Sequence, residues 1–263
     1  MDLHLKGTVA IVTAASRGLG LATAQALAAE GANIVLSSRS QSDLDREAEA
    51  IAELTGVEVL PVAADVTSSK EIRNLRDATL DRFGRIDALF INAGGPPPGG
   101  FLDFTPEDWE RASALTVQSA VELAYAVVPT MRDQQSGSIL ANTSVSVRHP
   151  LDNLILSNSL RLAVVGLVKS LSIELGPDNI RVNAIAPGWT RTERVDQLLQ
   201  ARAKKNETTP EIEAEKTAAE IPLRRISEPE EYAAAATFLL SPAASYITGV
   251  SLTVDGGRAR AVP

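Results

Sequence analysis

Residues 8–20 read Thr-Val-Ala-Ile-Val-Thr-Ala-Ala-Ser-Arg-Gly-Leu-Gly, an apolar run followed directly by a turn that contains Gly18 and Gly20. The run Thr8–Thr13 has the β-branched composition of a buried strand, and Leu21–Glu30 has the apolar periodicity of a helix. A glycine-rich turn between a strand and a helix lets backbone N–H groups approach a pyrophosphate at the helix N-terminus. The stretch therefore predicts a dinucleotide site, and the alternative is an ordinary strand-to-helix turn.

The rest of the chain repeats this alternation of short apolar runs and longer helical segments. Six further runs have strand composition: Asn33–Ser38, Val57–Val62, Ile86–Asn92, Gly137–Thr143, Asn179–Ile185 and Val250–Val254. They are nearly continuous in apolar residues, as strands that are buried on both faces require. We therefore predict an α/β fold with a Rossmann-like, doubly wound, seven-stranded parallel sheet, built as a single domain over residues 1–263.

The composition limits the classes of partner and site. The 263 residues include no cysteine, so disulfides, thiolate nucleophiles and cysteine-ligated zinc are excluded, and we expect no metal site. Lys and Arg number 25 against 33 Asp and Glu, and this net charge of −8 repels nucleic acid and anionic membranes. The first residues lack a basic stretch followed by an apolar core, so we expect a cytoplasmic protein without a signal peptide.

One charged segment, about residues 193–220, interrupts the alternation of strands and helices. It follows Pro187-Gly188 and precedes a helical pattern over about Glu228–Leu240. A helical segment that extends into solvent would explain its charge, whereas a lid over the carboxyl ends of the strands would explain its position. Both interpretations can hold, because a lid needs a solvated outer face.

Several motifs together resemble the short-chain dehydrogenase/reductase family over nearly the whole chain. Besides the glycine turn they are Asp65 after the third strand, Ile91-Asn92-Ala93-Gly94 after the fourth, Ser144 after the fifth, Ile180-Arg181-Val182-Asn183-Ala184-Ile185-Ala186-Pro187-Gly188, and the ending Ile247-Thr248-Gly249 through Val254-Asp255-Gly256-Gly257. The resemblance is to the branch of about this size, with 3-oxoacyl carrier-protein reductases as general relatives. It implies a hydride-transferring oxidoreductase that acts on a small carbonyl or alcohol substrate.

The resemblance also implies which residues hold the dinucleotide. The positions that match the pyrophosphate turn are Thr13, Ser16, Arg17, Gly18, Leu19 and Gly20; those at the adenine are Asp65 and Val66; those on the nicotinamide side are Asn92, Ala93 and Gly94; those near the carboxamide are Pro187, Gly188 and Thr192. Ala14 replaces the family's usual first glycine. We expect that change to be tolerated if the φ angle at Ala14 is negative.

The end of the second strand indicates which nicotinamide cofactor is preferred. Family members that bind NAD carry an acidic residue there for the ribose hydroxyls, whereas this chain has Ser38 followed by Arg39, with Arg17 in the glycine turn. Two guanidiniums and a hydroxyl suit a 2′-phosphate, since arginine makes bidentate, charge-assisted contacts to phosphate. We therefore expect NADP(H) to be favoured over NAD(H). The alternative is that Arg39 stacks on the adenine or faces solvent.

The chain departs from the family at the catalytic positions. The family's Asn, Ser, Tyr and Lys correspond here to Thr116, Ser144, Ser157 and Arg161, so Y-x-x-x-K becomes S-x-x-x-R. A serine hydroxyl is a much poorer acid than a phenol, whose pKa is about 10. Arg161 stays charged and is expected to hold the ribose hydroxyls without relaying a proton. Ser144 is expected to position the substrate oxygen.

No obvious residue replaces the missing acid. Tyr125, Tyr232 and Tyr246 are expected to be structural, on core helices or near the final strand. His149, in a loop just past Ser144, is the nearest titratable group, and an imidazole at the mouth of the cleft could act as a general acid. The alternative for His149 is a surface or capping role.

Three functions follow as hypotheses. The first is an NADP(H)-dependent oxidoreductase with an altered proton donor. The second is a nucleotide-binding pseudoenzyme or regulatory subunit without turnover, and the third is a purely structural oligomer. The family resemblance also implies a homo-oligomer, a tetramer or dimer, assembled through the helical segments 106–130 and 151–175.

Overall fold

Seven strands form one parallel sheet in the computed structural model, which describes residues 1–260. The strands are β1 (Val9–Thr13), β2 (Asn33–Ser38), β3 (Val59–Ala63), β4 (Ala88–Ile91), β5 (Gly137–Asn142), β6 (Ile180–Pro187) and β7 (Ser251–Val254). Their order across the sheet is β3-β2-β1-β4-β5-β6-β7, which confirms the predicted fold class. The order reverses between β1 and β4, and open sheets of this kind bind ligands at such a switch point.

Nine α-helices connect and cover the strands in the described part of the chain. They are α1 (Gly18–Ala29), α2 (Gln41–Thr55), α3 (Ser69–Phe83), α4 (Pro106–Ser113), α5 (Ser119–Gln134), α6 (Ile155–Glu174), α7 (Glu193–Asn206), α8 (Pro210–Glu220) and α9 (Pro229–Leu240). A π-helical segment, Ala114–Gln118, joins α4 to α5. The apolar core has two parts, one on each face of the sheet: α3, α5 and α6 bury one face, and α1, α2 and α9 bury the other.

The observed strand bounds differ from the predicted ones where side chains accept hydrogen bonds from the backbone. The fourth run begins its sheet pairing at Ala88 rather than Ile86, because the N–H of Ile86 donates to the side-chain oxygen of Gln134 at 3.0 Å. The third run begins at Val59, since the N–H of Glu58 donates to the side chain of Asn33. The sixth continues to Pro187, which lies beside Val254 of the neighbouring strand.

Residues 193–220 form a helical hairpin of α7 and α8. The hairpin joins a small apolar core, in which Val195 and Leu199 of α7 pack with three residues that flank the hairpin, Trp189, Ile221 and Ile226. Burial of these side chains fixes the hairpin beside the carboxyl ends of the strands, although most of its charged residues face solvent.

Helix α6 is the one helix in residues 1–260 that is long and apolar enough to cross a membrane by length and composition alone. It packs on β6 and buries Val164 and Val168 against the sheet. The same helix brings Ser157 and Arg161 to the carboxyl edge of the sheet, so its first turns form one wall of a cleft there.

Candidate active site at the carboxyl edge of the sheet

A cleft of about 470 Å³ lies at the carboxyl ends of β1, β4, β5 and β6. It collects most of the residues that the sequence predicted for a nucleotide and substrate site. Those that line it are Arg17, Gly18, Leu19, Asn92, Ala93, Gly94, Ser144, Ser157, Arg161, Pro187, Gly188 and Thr192. The fold therefore brings residues from distant parts of the chain to one open groove.

The glycine turn has the geometry that a phosphate group requires. Gly18 adopts a φ of +59° at the start of α1, and a Cβ on Gly20 would lie 2.3 Å from the carbonyl oxygen of Ala14, so only glycine fits there. No side chain caps the N-terminus of α1, and its first turn contains no acidic residue. The free N–H groups and the helix dipole thus favour an anion, and the turn fits a dinucleotide pyrophosphate.

Alanine at position 14 was expected to be tolerated if its φ angle is negative, and the structure does not meet this condition. Its φ is +49°, in the left-handed region that favours glycine, rather than negative. The turn imposes this angle because the carbonyl of Ala14 packs against Gly20 while the N–H of Ala15 donates to the carbonyl of Ser37 at 3.0 Å. The replacement of glycine by alanine therefore strains the backbone at this position.

Thr13 acts within the protein rather than at the cleft surface. Its side chain is fully buried, and its hydroxyl donates to the carbonyl of Asn92 at 2.7 Å and accepts from the Asn92 N–H at 2.8 Å. These bonds join the ends of β1 and β4 across the switch point. Thr13 therefore positions Asn92, and it does not line the predicted pyrophosphate site.

The adenosine end of the predicted site lies around Ser38, Arg39 and Asp65. Hydrogen bonds from Thr67, with the charge of Arg39 as a smaller contribution, lower the pKa of Asp65, so Arg39 lies near that carboxylate. Arg39 is exposed and has no carboxylate within 4.0 Å in residues 1–260. Arg17, by contrast, forms an ion pair with Glu193 at the start of α7, which links the glycine turn to the hairpin.

Ser144 and Ser157 both line the cleft. The Oγ of Ser144 accepts a hydrogen bond from the N–H of Ser146 at 3.1 Å, which leaves its hydroxyl proton available to another acceptor. Ser157 is 8% exposed on the first turns of α6. In residues 1–260, the cleft walls include no tyrosine and no histidine, so no side chain there has the acidity of the family's phenol.

Arg161 is held at the base of the cleft by a backbone contact. Its Nη1 donates to the carbonyl oxygen of Asn142 at 3.0 Å. Burial, opposed by Tyr232 and assisted by the charge of Arg194, lowers the pKa of Arg161 to about 10. The guanidinium remains charged at neutral pH.

Thr116 lies in the π-helical segment that packs on α6, and it does not line the cleft. Its hydroxyl is buried without a hydrogen-bond partner within residues 1–260. The structure therefore does not bring Thr116 to the surface of the cleft, where the family resemblance implied a catalytic position.

The position of His149 differs from the expected one. It lines a separate cavity with Glu220, Arg258 and Arg260, away from Ser157 and Arg161. The loop turns this way because Arg148, the preceding residue, donates to the carbonyl of Ser251 at 2.7 Å. The geometry therefore does not bring the imidazole to the mouth of the cleft.

The three tyrosines also differ from one another. Tyr125 and Tyr246 are exposed on the surface rather than buried in the core. Tyr232 is fully buried, and burial raises its pKa well above 10. Its hydroxyl donates to the side-chain oxygen of Asn142 at 2.8 Å, and the amide of Asn142 donates to Asn92 at 2.8 Å.

Sequence reasoning missed two residues of this region, Asn142 and Arg194, and it did not foresee the hydrogen bond of Tyr232 to Asn142. Asn142 is the last residue of β5, and its polar side chain at a strand end was an available signal. Arg194 lines the cleft from α7 and donates through Nη2 to the carbonyl of Pro96 at 2.9 Å. Nothing in the charged segment 193–220 distinguished Arg194 from its charged neighbours.

A family model described as enoyl-(acyl carrier protein) reductase matches residues 13–259. Among curated relatives, dehydrogenase/reductase SDR family member 4 of Sus scrofa is 37% identical over 256 residues, which cover 97% of this chain and 88% of the relative. The match thus includes the sheet, the cleft and the α7–α8 hairpin.

Two solved structures are similar over the whole fold. L-sorbose reductase from Gluconobacter frateurii, complexed with NADPH and L-sorbose, has a TM-score of 0.95 and 35% identity, with all of both chains covered. A 7α-hydroxysteroid dehydrogenase, complexed with NADH and 7-oxo glycochenodeoxycholic acid, has a TM-score of 0.88 and 36% identity over 97% of this chain and 96% of that chain.

Proposed function

The chain belongs to the short-chain dehydrogenase/reductase family, and we propose that it transfers a hydride between NADP(H) and the carbonyl or alcohol carbon of a small molecule. The observation that carries this proposal is the cleft itself, which joins the glycine turn to Asn92, Ser144 and Arg161. The similar structures contain NADPH in one case and NADH in the other, so the choice of cofactor is argued from this chain's own residues.

Each of the residues in the cleft has a separate role in the reduction. A bound nicotinamide supplies the hydride. The hydroxyl of Ser144 donates a hydrogen bond to the carbonyl oxygen, which gains negative charge as the hydride arrives. Arg161 keeps the ribose-binding role of the family's lysine, since a guanidinium has five N–H donors and only one is bound to Asn142. Water that enters the open cleft would donate a proton to the resulting alkoxide, and the hydroxide that remains would exchange with solvent.

The preference for NADP(H) rests on Ser38 and Arg39, because the strand end carries no carboxylate to repel a 2′-phosphate. Arg17 adds a second cation if it releases Glu193 when the cofactor binds. Calorimetric titration should give a lower Kd for NADPH than for NADH. Arg39→Ala should weaken NADPH about 10- to 100-fold, since charge-assisted hydrogen bonds contribute about 1.5–3 kcal/mol.

A matched control is Arg46→Ala, which removes an exposed arginine that pairs with Glu47 on α2. It should leave both affinities unchanged. Ser38→Asp should shift the preference towards NADH, because the new carboxylate suits ribose hydroxyls and repels phosphate. Equal dissociation constants for the two cofactors in the unmodified protein would remove the basis of this assignment.

Nucleotide binding without turnover is the second candidate function. The absence of tyrosine from the cleft walls in residues 1–260 favours it. A screen of NADPH oxidation over ketones, aldehydes and acyl thioesters separates the two candidates. Oxidation of cofactor with at least one substrate supports the enzyme, whereas tight NADPH binding with no oxidation across the panel supports the pseudoenzyme.

Self-association is also part of the proposal. Large apolar side chains on α5 and α6 face solvent in the isolated chain: Tyr125 is 76% exposed, Leu162 51% and Ile173 70%. A second copy of the chain would cover them, and burial of exposed apolar surface favours association. Sedimentation should find a dimer or tetramer, and Tyr125→Glu combined with Ile173→Glu should yield a smaller species.

A further inference from the structure

Two arginines converge on one glycine in the wall of the cleft. A Cβ built on Gly95 would lie 3.7 Å from the Nε of Arg194 and 3.9 Å from the Nη2 of Arg161. Both guanidinium groups therefore lie within 4 Å of the same point, although one comes from α7 and the other from α6. Gly95 leaves the space between them open.

The charges of these two arginines are not compensated by the protein. In residues 1–260, neither has a carboxylate within 4.0 Å. The side-chain hydrogen bonds of each are limited to one backbone carbonyl, Asn142 for Arg161 and Pro96 for Arg194. Burial also lowers the pKa of Arg194, because it removes water from around the guanidinium. No acidic partner in the described part of the chain offsets this loss of hydration. A bound anion would supply the missing negative charge.

The neighbouring cavity extends the same positive character. It encloses about 200 Å³ and shares Ser144 with the cleft, and its charged lining residues are Arg202, Lys205 and a single acid, Asp152. Arg202 lies over the ring of Trp189, 4.6 Å from its centroid. The substrate side of the site is thus basic in a chain whose net charge is −8.

We infer that the substrate is an anion, a small oxo acid or hydroxy acid whose carboxylate is bound by Arg194 beside Gly95, while Arg161, which keeps its ribose contact, adds a second positive charge at the same point. This inference rests on the proposed function. A carboxylate is planar with two acceptor oxygens, and it matches the paired N–H groups of a guanidinium. Ser144 lines both the cleft and the neighbouring cavity. A substrate bound in this way therefore directs its reacting carbonyl towards Ser144.

The cofactor's own pyrophosphate is the other source of such an anion. It has a separate place at the start of α1, where Gly18 faces Thr192 and the amide groups are free. Gly95 follows β4 instead, beyond the residues expected on the nicotinamide side. The experiment below distinguishes the two sources, because loss of a pyrophosphate contact would weaken NADPH, whereas loss of a carboxylate contact would weaken only the substrate.

The test compares each of three oxo acids, pyruvate, acetoacetate and levulinate, with its own methyl ester. The ester keeps the carbonyl and removes the charge. We expect kcat/KM with NADPH to favour at least one acid over its ester by tenfold or more. Arg194→Gln should bring that ratio close to one, with the Kd for NADPH unchanged, and Arg194→Lys should retain part of the preference. Arg191→Gln is the matched control, since Arg191 is exposed and pairs with Glu228.

A binding measurement gives the same information without turnover. Acetoacetate and its methyl ester are titrated calorimetrically into the protein saturated with NADP⁺, and the acid should bind at least tenfold more tightly. If NADP⁺ itself does not bind, the proposed function fails. If NADP⁺ binds but esters bind and react as well as acids, or if Arg194→Gln weakens NADPH as much as the acid, the carboxylate site is wrong and the proposed function stands.

Discussion

Ser157 stands where the family carries its tyrosine acid, and its hydroxyl cannot take over that role. An alkanol has a far higher pKa than a phenol, and Arg161, its neighbour one turn along α6, is not a base. We expect Ser157→Ala to keep kcat within about threefold, whereas Ser144→Ala should lower kcat about 10- to 1000-fold through the loss of an oxyanion donor. Steady-state NADPH oxidation measures both. An inactive Ser157→Ala variant with unchanged NADPH affinity would place Ser157 in the proton transfer.

Ala14 offers a test of backbone strain at the glycine turn. A left-handed alanine costs about 1 kcal/mol more than glycine, so Ala14→Gly should raise the free energy of unfolding by about 0.5–1 kcal/mol. Ala26→Gly, inside α1, is the control and should lower it by about 1 kcal/mol. Urea unfolding at a common pH measures both. Destabilisation by Ala14→Gly as large as that by Ala26→Gly would show that the turn is not strained.

The sequence identified the residues that follow strands, because a parallel sheet brings all its carboxyl ends to one edge. Asn92, Ser144 and Pro187 were predictable on this ground, and they line the cleft. His149 was misplaced because its orientation depends on the contact of Arg148 with β7, between segments 103 residues apart. The Asn92–Asn142–Tyr232 chain was likewise hidden, since Tyr232 reaches Asn142 across 90 residues of sequence.

At the level of elements, strand identity followed from composition and strand bounds did not. The run Asn33–Ser38 was predicted to the residue because it lies between two paired strands, β1 and β3. The runs beginning at Ile86 and Val57 start later, since side chains of Gln134 and Asn33 bind the backbone before the sheet pairing begins. Such long-range side-chain contacts leave no periodic signal in the sequence.

The α7–α8 hairpin, residues 193–220, is expected to behave as a lid. Its core is small compared with the sheet, so local opening should require less free energy there than in the central strands. Hydrogen exchange should find it the least protected helical part of the chain without cofactor, and NADPH should slow its exchange. Protection equal to that of β4 and β5, unchanged by NADPH, would contradict the lid.

Glu213 makes the stability of this hairpin depend on pH. Hydrogen bonds from Lys216 and Thr208 lower the pKa of Glu213 to about 2. Because the folded-state pKa is lowered, the carboxylate stabilises the hairpin above its ordinary pKa of 4.5, and this contribution is lost as the pH falls towards about 2. Glu213→Gln should therefore exchange faster than the unmodified protein at pH about 7 and equally fast once the carboxylate is protonated.

The control for this comparison is Glu215→Gln, because Glu215 is an exposed carboxylate on the same helix. It should exchange like the unmodified protein at every pH. Rates are compared only between proteins at one pH, which removes the intrinsic pH dependence of exchange. A Glu213→Gln variant that is indistinguishable from the control at neutral pH would show that the carboxylate does not hold the hairpin.

Across the whole molecule, charge is distributed unevenly. The chain carries a net charge of −8, yet Arg161, Arg194, Arg202 and Lys205 line the two adjoining cavities at the edge of the sheet. Composition alone predicted repulsion of polyanions, and it could not predict this local reversal, which depends on where α6 and α7 meet. The cleft would attract small anions while the remaining surface repels large ones.

The central claim is hydride transfer from NADPH to a carbonyl carbon in this cleft. The most direct measurement uses NADPH in which both hydrogens on the reactive nicotinamide carbon are replaced by deuterium, with a panel of ketones, aldehydes and oxo acids and mass analysis of the products. We predict an alcohol with a single deuterium on its carbinol carbon, formed in the same amount as NADP⁺ and decreased in Arg161→Ala when NADPH is limiting. Tight NADPH binding with no deuterium in any product would contradict the claim and identify the protein as a nucleotide-binding pseudoenzyme.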